Sequence, residues 1–477
     1  MSASDDRAAK PTPVASRRHR AAEARRAAEA QVRQIVRRLE ARPPEHDFTP
    51  TLDRMKRATA YLGDPQKAYR VIHVAGTNAK TSTARMIAAL ISAHGLRVGL
   101  MTSPPLTDGL ERIVIDGEPI APEAFIEVWG QVGPVVDLVD AQSADDGGPP
   151  ISVFEAYALA GFVAFADAPV DVAVIEVGMG GTWDATNVVT SDVQVITPIA
   201  MDHEEWLGAD LAGIAGEKAG ILGKQAVIGP QSDAVAEVLA AAVAETRGGA
   251  WWAGVDFGVV ARELGVGGQM VAFQGIGGMY PDVWLALLGS HQADNAALAL
   301  GAVELLFGDP AAPTPLEIET VRDAFGTVTS PGRLEVVRTS PLVVIDAAHN
   351  PAGAEALAVA VTEVFPGPMV GLVGVLGDKD AAGILGALEP VMETVVVTQS
   401  LAPRALDAYA LGAVAADVFG PGRVEVVPRL DDALARAVDL ADAISEGASG
   451  PLAAGVLACG SVTVAGQVRL LLRPSRR

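Results

Sequence analysis

Short runs of β-branched and other apolar residues recur along this chain and alternate with longer stretches rich in alanine and leucine. The runs include 69–74, 170–177, 193–199, 342–345, 369–375, 394–398 and 424–427. Strands that are apolar along their whole length suit parallel sheets that are buried on both faces, and the intervening stretches are long enough for helices. Because the pattern occurs twice, before about residue 330 and after about residue 340, we predict two α/β domains.

A stretch rich in Gly, Ser, Thr and Pro at 326–333 separates the two halves. We place a linker at 329–340, the first domain at 41–328 and the second domain at 341–477. Residues 1–40 contain Lys10 and nine arginines against five acidic residues, with no core-forming run before Val32. We therefore expect a basic, solvated and disordered arm at the N-terminus.

Composition excludes several classes of protein. The chain is 50% hydrophobic and 20% charged, which argues against a disordered protein. A single cysteine, Cys459, excludes a disulfide framework and is typical of a reducing compartment such as the cytoplasm. The net charge of −22 argues against a nucleic-acid partner, because phosphate backbones require clustered cations.

The uncharged stretch 447–468 is long enough to suggest a membrane span. It contains Pro451 and several glycines, and its apolar residues fall into two short groups. This division predicts a buried strand, a turn and the start of a helix, with no membrane association.

The apolar run 69–74 leads into Ala75-Gly76-Thr77-Asn78-Ala79-Lys80-Thr81-Ser82 and then into a helical stretch at 83–94. A strand, a loop of small residues, a lysine and hydroxyls at a helix start form a phosphate site, in which a hydroxyl can also reach Mg²⁺. The spacing departs from the usual G-x-x-x-x-G-K-[ST] motif, so the pattern alone also fits an ordinary strand-to-helix turn. The scarcity of lysine, seven against 29 arginines, favours a specific role for Lys80.

Glu176 stands at the end of the apolar run 170–177. A carboxylate there is costly unless it has a partner, and Mg²⁺, which takes oxygen ligands and keeps nucleotide phosphates around it, is such a partner. The alternative is a glutamate at the strand end that faces solvent.

A series of ordered motifs resembles the folylpolyglutamate synthase/dihydrofolate synthase family of the Mur ligase superfamily. The resemblance extends from about residue 47 to the C-terminus, with a loose match at 47–54 to a segment that caps the pterin in that family. The clearest blocks are Gly76-Thr77-Asn78 with Lys80, Thr102-Ser103-Pro104, Glu111-Arg112-Ile113, 176–187, 196–199, Asp202-His203, 217–221, His291-Gln292 with Asn295, 331–335, 346–351 and Asp378-Lys379-Asp380.

The resemblance implies an α/β fold, with a P-loop-type ATPase domain around a mostly parallel sheet and a smaller Rossmann-like C-terminal domain. It implies an ATP-dependent ligase that adds L-glutamate to dihydropteroate, to folates, or to both. It further implies a reaction that passes through an acyl phosphate and yields ADP and phosphate. Retention of 184–187 favours both activities. The expected partners are these small molecules, with no nucleic acid and no membrane, and the expected protein is a cytoplasmic monomer.

The resemblance also assigns residues to the nucleotide and to two expected Mg²⁺ ions. Ser103, Glu176 and His203 are the implied metal ligands, and Lys80, Lys218 and His349 are the implied catalytic residues. Lys218 matches a lysine that is commonly carbamylated in the family; the alternative is a lysine paired with Glu217. The implied nucleotide-binding residues are Gly76, Thr77, Asn78, Ala79, Lys80, Thr81, Ser82, Asn295, Arg333 and Asp346.

For the other substrates, the resemblance implies that His349 holds glutamate, with 378–380 close to it. Arg333 lies in the predicted linker, so it reaches ATP only when the domains close, unless it is a plain linker arginine. The implied residues for the pterin substrate are Ser152, Phe154, Glu155, Trp183, Asp184 and Ala185.

Two alternatives stay open. One is a Mur-type ligase of cell-wall precursors, against which we count the 75 residues before Gly76, a short length for a precursor-binding domain. The other is a non-catalytic nucleotide-binding relative. Its support is three departures from the family pattern, namely Ala79, Pro105 and Thr182.

Overall fold

The computed structural model describes residues 13–44, 51–309, 312–447 and 453–473. Within them, one sheet of the first domain has the spatial order β4-β3-β2-β5-β1-β6-β7-β8. Its strands are β1 (Arg70–Ala75), β2 (Val98–Met101), β3 (Ile113–Ile115), β4 (Glu118–Pro119), β5 (Val172–Glu176), β6 (Val193–Ile196), β7 (Gln225–Ile228) and β8 (Gly249–Trp252). Pairing is parallel except at β3 and β4, which form an antiparallel edge.

Helices cover both faces of this sheet, as fully apolar strands require. The helices are α1 (Pro13–Glu40), α2 (Asp53–Tyr61), α3 (Lys80–Ala93), α4 (Pro122–Asp145), α5 (Val153–Asp167), α6 (Glu204–Leu207), α7 (Leu211–Ala219), α8 (Asp233–Thr246), α9 (Ser290–Phe307) and α10 (Ile318–Thr327). One core contains residues of α3, α9 and α10, and the core on the opposite face contains residues of α1, α2, α4 and α5.

A small antiparallel sheet of the order β11-β10-β9 follows β8 and was not predicted. Its strands are β9 (Gly258–Gly265), β10 (Gly268–Gln274) and β11 (Met279–Leu285). No continuous apolar run marks this sheet, because β10 and β11 alternate buried and exposed residues and β9 is mostly exposed.

The second domain contains a sheet of the order β12-β13-β17-β14-β15-β16, parallel apart from β12. The two predicted α/β domains and their mostly parallel sheets are thus confirmed. The strands are β12 (Glu335–Thr339), β13 (Leu342–Ile345), β14 (Met369–Val373), β15 (Thr394–Gln399), β16 (Val424–Arg429) and β17 (Gly455–Cys459). The helices are α11 (Pro351–Val364), α12 (Ala381–Leu388), α13 (Ala408–Phe419), α14 (Leu430–Gly447) and α15 (Val462–Leu472).

Two expectations about segment boundaries are wrong. The linker predicted at 329–340 is shorter, because Glu335–Thr339 already pairs with β13. The N-terminal arm is a helix from Pro13 onward rather than a disordered segment. Val32, Ile35 and Leu39 recur at helical spacing, are buried, and join the core formed with α4 and α5.

The stretch at 447–468 contains β17 and the start of α15, the strand, turn and helix that its composition predicts. Over the described part of the chain, no helix is both long and apolar enough to cross a membrane.

Candidate functional site

The loop between β1 and α3 has a backbone that its small residues permit. Gly76 has φ +143°, and a methyl group there would lie 1.9 Å from the Thr197 hydroxyl oxygen. Ala79 adopts φ +70° directly before α3. The N–H groups of Thr77 and Asn78 donate to the Pro198 carbonyl at 3.0 and 3.2 Å. These bonds tie the loop to the chain after β6 and direct the N-terminus of α3 at the edge of the sheet.

Lys80, Thr81 and Glu176 meet beneath this loop. The Lys80 ammonium donates to the carbonyls of Gly76 and Thr77 at 3.1 and 3.0 Å. Thr81 Oγ1 lies 3.0 Å from both carboxylate oxygens of Glu176, and the Ser103 N–H donates to Glu176 Oε2 at 3.2 Å. Glu176, with 1% of its surface exposed, is therefore a strand-end glutamate that faces the loop instead of solvent.

Burial has the largest effect on the pKa values of Glu176 and Lys80. It raises the pKa of the Glu176 carboxyl, opposed by the charge of Lys80 and the hydrogen bond from Thr81. It lowers the pKa of Lys80, opposed by the carboxylates of Glu176 and Asp202. Each group therefore favours the charge of the other, as expected where an anion and a cation share a site of low polarity.

A hydrogen bond joins two of the three predicted metal ligands, and the third lies beside a different carboxylate. Ser103 contacts Glu176, whereas His203 lies beside Asp202, with 3.9 Å between His203 Nε2 and Asp202 Oδ2. Among the residues that the structure describes, no group of three or more His, Cys, Asp and Glu side chains is placed to hold a metal ion. The oxygen atoms around Glu176 are hard donors of the kind that Mg²⁺ takes together with waters and nucleotide phosphates, so this part of the set fits a magnesium ion.

Lys218, on α7, reaches the same loop from the other side. Its ammonium donates to the Gly76 carbonyl at 2.9 Å rather than to Glu217. Burial, reinforced by the charge of Lys80, lowers the pKa of Lys218 to about 7. A substantial fraction of this lysine is therefore neutral, and so nucleophilic, near neutral pH.

A cleft of about 330 Å³ lies between the two domains. The loop contributes Asn78, Ala79 and Ser82, and the residues predicted for the nucleotide outside the loop line the same cleft: Asn295, Arg333 and Asp346. Both carboxylate oxygens of Asp346 accept backbone hydrogen bonds, from Leu334 at 2.8 Å and Ala348 at 2.7 Å. The structure thus brings together predicted nucleotide residues that lie far apart in the sequence.

Asp202, in the loop after β6, connects the first domain to three side chains of the second domain. It accepts hydrogen bonds from Lys379 Nζ and from Asn350 Nδ2, the latter at 3.0 Å, and lies 3.5 Å from His349 Nε2. We call these four residues the Asp202 cluster. Burial would raise the pKa of Asp202, but the hydrogen bond to His349 and the charges of His203, His349 and Lys379 lower it well below its usual range. Asp202 is therefore an anion throughout the neutral range.

The residues predicted for the pterin line a narrow crevice of about 20 Å³ beside Thr51. They are Ser152, Phe154, Glu155, Trp183, Asp184 and Ala185. Ser152 and Glu155 form a capping box at the start of α5, and Arg54 forms a buried ion pair with Glu155 at 3.0 Å. Of the segment 47–54 that the resemblance relates to a pterin cap, 47–50 lie outside the described residues, whereas Thr51 lines this crevice and Arg54 pairs with Glu155 in its wall.

Asp184 organises one wall of the crevice. Its carboxylate accepts hydrogen bonds from the N–H groups of Met179 and Thr186, both at 2.9 Å, and burial raises its pKa to about 6. His73 on β1 lies 2.7 Å from the Thr186 hydroxyl and supports the same loop from below. Burial lowers the pKa of His73 to about 3, so this support is a neutral imidazole.

Sequence reasoning assigned no role to four side chains that build this region: His73, Asp202 and Lys379 as described above, and Thr197, whose hydroxyl donates to the Asn78 carbonyl at 2.6 Å. Asp202 and Lys379 both stand in the motifs quoted above, and this position in the sequence could have indicated a role at the site. Nothing in a single sequence pairs His73 with Thr186, 113 residues away.

Comparisons with known proteins agree with this geometry. Residues 332–460 match the Mur ligase, glutamate ligase domain. The dihydrofolate synthase/folylpolyglutamate synthase of Mycobacterium tuberculosis is 48% identical over 461 residues, which cover 93% of this chain and 94% of that protein. The folylpolyglutamate synthase of Lacticaseibacillus casei is 38% identical, with 72% of this chain and 80% of that protein covered.

Solved structures give the same result. A Mycobacterium tuberculosis folylpolyglutamate synthase complexed with ADP has a TM-score of 0.89 and 46% identity, covering 95% of this chain and 100% of that chain. A folylpolyglutamate synthase complex with AMPPCP and folate has a TM-score of 0.79 and 31% identity, covering 92% of this chain and 99% of that chain. The chain therefore belongs to the dihydrofolate synthase/folylpolyglutamate synthase family of ATP-dependent ligases, as its motifs predict.

Proposed function

We propose that this protein adds L-glutamate to dihydropteroate, to folates, or to both, with ATP as cosubstrate and an acyl phosphate as intermediate. One observation carries the proposal. The loop between β1 and α3, which we call the phosphate loop, lines one cleft together with Arg333 and Asp346. In addition, His349 and Lys379 of the second domain meet Asp202 of the first domain. A nucleotide in this cleft is held by both domains, and an amino acid near His349 lies at the same interface.

In the first step, the substrate carboxylate attacks the γ-phosphorus of ATP, and ADP leaves. We assign Lys80 and the N–H groups at the start of α3 to the phosphate oxygens, where they stabilise the negative charge that develops during transfer. We assign Arg333 to the phosphates and Asp346 and Asn295 to the nucleoside. These groups act mainly by positioning, which is the principal contribution that a protein makes to phosphoryl transfer.

In the second step, the amine of glutamate attacks the acyl phosphate, an amide forms and inorganic phosphate leaves. The incoming ammonium first loses a proton to solvent, and the free amine is the nucleophile. His349 Nδ1 lies 2.9 Å from the Ala347 carbonyl, and Nε2 faces Asp202. We assign His349 to glutamate binding, with its ring held in this orientation by the carbonyl on one side and the carboxylate on the other.

Ser103, Glu176 and His203 are the residues that we assign to magnesium, with Thr81 beside Glu176. Bound Mg²⁺ would neutralise charge on the nucleotide phosphates. Two ions and a carbamylated Lys218 are part of the proposal. The low pKa of Lys218 supports carbamylation because only the neutral amine reacts with CO₂.

The pterin is assigned to the crevice between Phe154 and Trp183. Phe154 packs against the backbone of Gly178, where a methyl group would lie 2.6 Å from the ring, so its face is held in a fixed position. A pteridine ring is larger than a crevice of about 20 Å³. Binding therefore requires side chains such as Trp183 to move. We further propose that the protein acts as a cytoplasmic monomer.

The experiment is an assay of ADP release with Mg-ATP, L-glutamate and dihydropteroate, or a reduced folate in its place. We expect release only when all substrates are present, with a glutamylated product detected by mass spectrometry. Lys80→Ala should abolish release while the circular dichroism spectrum is unchanged. Turnover with a cell-wall precursor instead would favour a Mur-type ligase, and nucleotide binding without any turnover would favour the non-catalytic relative.

A further inference from the structure

The loop that follows β2 extends from the first domain to the second. It begins at Ser103, whose N–H donates to Glu176, and three residues later Leu106 packs against a core cluster of the second domain. Glu111 fixes the loop between these points, because its Oε2 accepts hydrogen bonds from the N–H groups of Leu106 and Thr107, both at 3.0 Å. One short and internally braced segment therefore joins the predicted metal side of the cleft to the second domain.

Two glycines make room for Leu106. A methyl group at Gly466, in the middle of α15, would lie 1.9 Å from the Leu106 carbonyl oxygen. A methyl group at Gly332 would lie 2.9 Å from Leu106 Cδ1. Backbone atoms cannot rotate away as the end of a side chain can, so the contact at Gly466 tolerates no larger residue while the domains keep this arrangement. We call Gly332 and Gly466, which receive Leu106, the Leu106 seat.

The seat is itself held by charged groups. Glu335 Oε2 accepts a hydrogen bond from the Gly332 N–H at 2.7 Å, and the same carboxylate pairs with Arg469 of α15 at 2.9 Å. Arg333, which lines the nucleotide cleft, follows Gly332 directly. The position of Leu106 is therefore linked to Ser103 on one side and to Arg333 on the other.

We infer that the Leu106 seat is a positioning element for the first chemical step. Through it, two groups reach the nucleotide together only when the domains are closed: the loop that contains Ser103, and Arg333. The inference rests on the proposed function. Leu106 and Gly466 touch no predicted substrate group and act through Ser103 and Arg333. A domain that is not closed leaves Leu106 outside the seat, and the residues from the two domains are then not assembled around the phosphates.

Gly466→Ala tests the seat, and Gly386→Ala is the matched control. Both glycines lie within helices of the second domain, but a methyl group at Gly386 meets no atom within 4 Å. Alanine favours a helix over glycine, so neither change should lower the melting temperature of the ligand-free protein if the domains can open to relieve the contact. We expect kcat to fall at least tenfold in Gly466→Ala, with a smaller change in KM for ATP, and to stay within twofold in Gly386→Ala.

Small-angle X-ray scattering provides a readout that does not depend on turnover. Mg-ATP should reduce the radius of gyration of the wild type and of Gly386→Ala, but not of Gly466→Ala. Leu106→Ala, which leaves α15 unchanged, should lose at least threefold in kcat and part of the compaction. Equal kcat and equal compaction in Gly466→Ala and Gly386→Ala would overturn the inference. A decrease in the melting temperature of Gly466→Ala large enough to account for its lost activity would also overturn it. A wild type that compacts with Mg-ATP yet forms no glutamylated product would contradict the proposed function, and the difference in compaction between Gly466→Ala and Gly386→Ala would then support the seat in domain closure alone.

Discussion

At the scale of single residues, the centre of the site consists of charges that the fold disfavours. Glu176 and Lys80 are both buried, and burial moves the pKa of each toward its neutral form. Their mutual attraction offsets only part of the cost of removing them from water. Groups kept under such conditions are typical of functional sites, and the proposed reaction needs both charges near the phosphates.

Glu176→Gln should therefore separate function from stability. Burial raises the pKa of the Glu176 carboxyl, so the folded protein holds this proton more tightly than the unfolded chain. The charged form consequently costs stability at neutral pH, above the ordinary pKa. We expect the amide to leave the free energy of unfolding in urea equal or higher, while ADP release falls to background. A variant that loses several kcal/mol of stability would show instead that the carboxylate is structural.

Lys218→Met should change how stability depends on pH. The pKa of Lys218 falls from its ordinary value of 10.5 to about 7 in the folded protein. Between these two pH values the unfolded chain binds more protons at Lys218 than the folded protein does, so the free energy of unfolding rises with pH. The destabilisation caused by charging the buried Lys218 is therefore greatest below pH 7. In CO₂-free buffer, the wild type should gain up to about 1.4 kcal/mol per pH unit relative to Lys218→Met between about pH 7 and 10. Parallel stability curves for the two proteins would contradict this pKa.

At the scale of elements, the phosphate loop shows how a short segment determines its own geometry. The loop needs left-handed backbone at Gly76 and Ala79, and the second of these is an alanine that adopts φ +70°. Glycine has no Cβ and enters this region without steric cost, whereas alanine does not. The departure from the family pattern at Ala79 therefore raises the energy of the loop.

Ala79→Gly should stabilise the protein by about 1 kcal/mol, because the cost of the left-handed alanine exceeds the extra freedom of glycine in the unfolded chain. ADP release should remain within about twofold of the wild type, since the same N–H groups remain at the start of α3. Urea denaturation of both proteins measures the difference. Gly95→Ala is a useful counterpart, because Gly95 has φ +81°, a methyl group there would meet no atom within 4 Å, and the variant should lose a similar amount.

At the scale of the whole molecule, a few buried polar contacts join the two domains. The Asp202 cluster is one of them, and its ion pair to Lys379 is almost fully buried on both sides. Removing one partner of a buried pair leaves the other charge without compensation, which costs about 3–5 kcal/mol. In a two-domain protein, opening relieves part of that cost.

Lys379→Met should therefore weaken domain closure. We expect at least a tenfold loss of kcat and a higher KM for glutamate. Asp202→Asn should cause a similar loss, and the double variant should lose less than the two single losses combined, with a coupling of about 1 kcal/mol or more. Strictly additive losses would exclude an energetic link between the two side chains. Lys224→Met, at a lysine distant from the Asp202 cluster in the turn before β7, is the control.

Much of this protein was predictable from its sequence. The strand pattern predicts two α/β domains, and the motifs predict the family; both predictions are confirmed. The roles of individual site residues remain predictions, although six of the ten residues assigned to the nucleotide line one cleft. The antiparallel sheet of β9, β10 and β11 was not predicted because β10 and β11 alternate buried and exposed residues and β9 is mostly exposed. The helix α1 was not predicted because its basic composition obscured the stripe of Val32, Ile35 and Leu39.

The sequence by itself determined what depends on neighbouring residues: the apolar strands, the loop of small residues before Lys80, and the carboxylate at the end of β5. These features follow from local backbone geometry and from the period of apolar residues. Only the tertiary structure decided which distant groups meet, such as Asp202 with Lys379, or Leu106 with Gly466. Those contacts lie between two domains, and no local pattern in one segment records the shape of the surface that the segment faces.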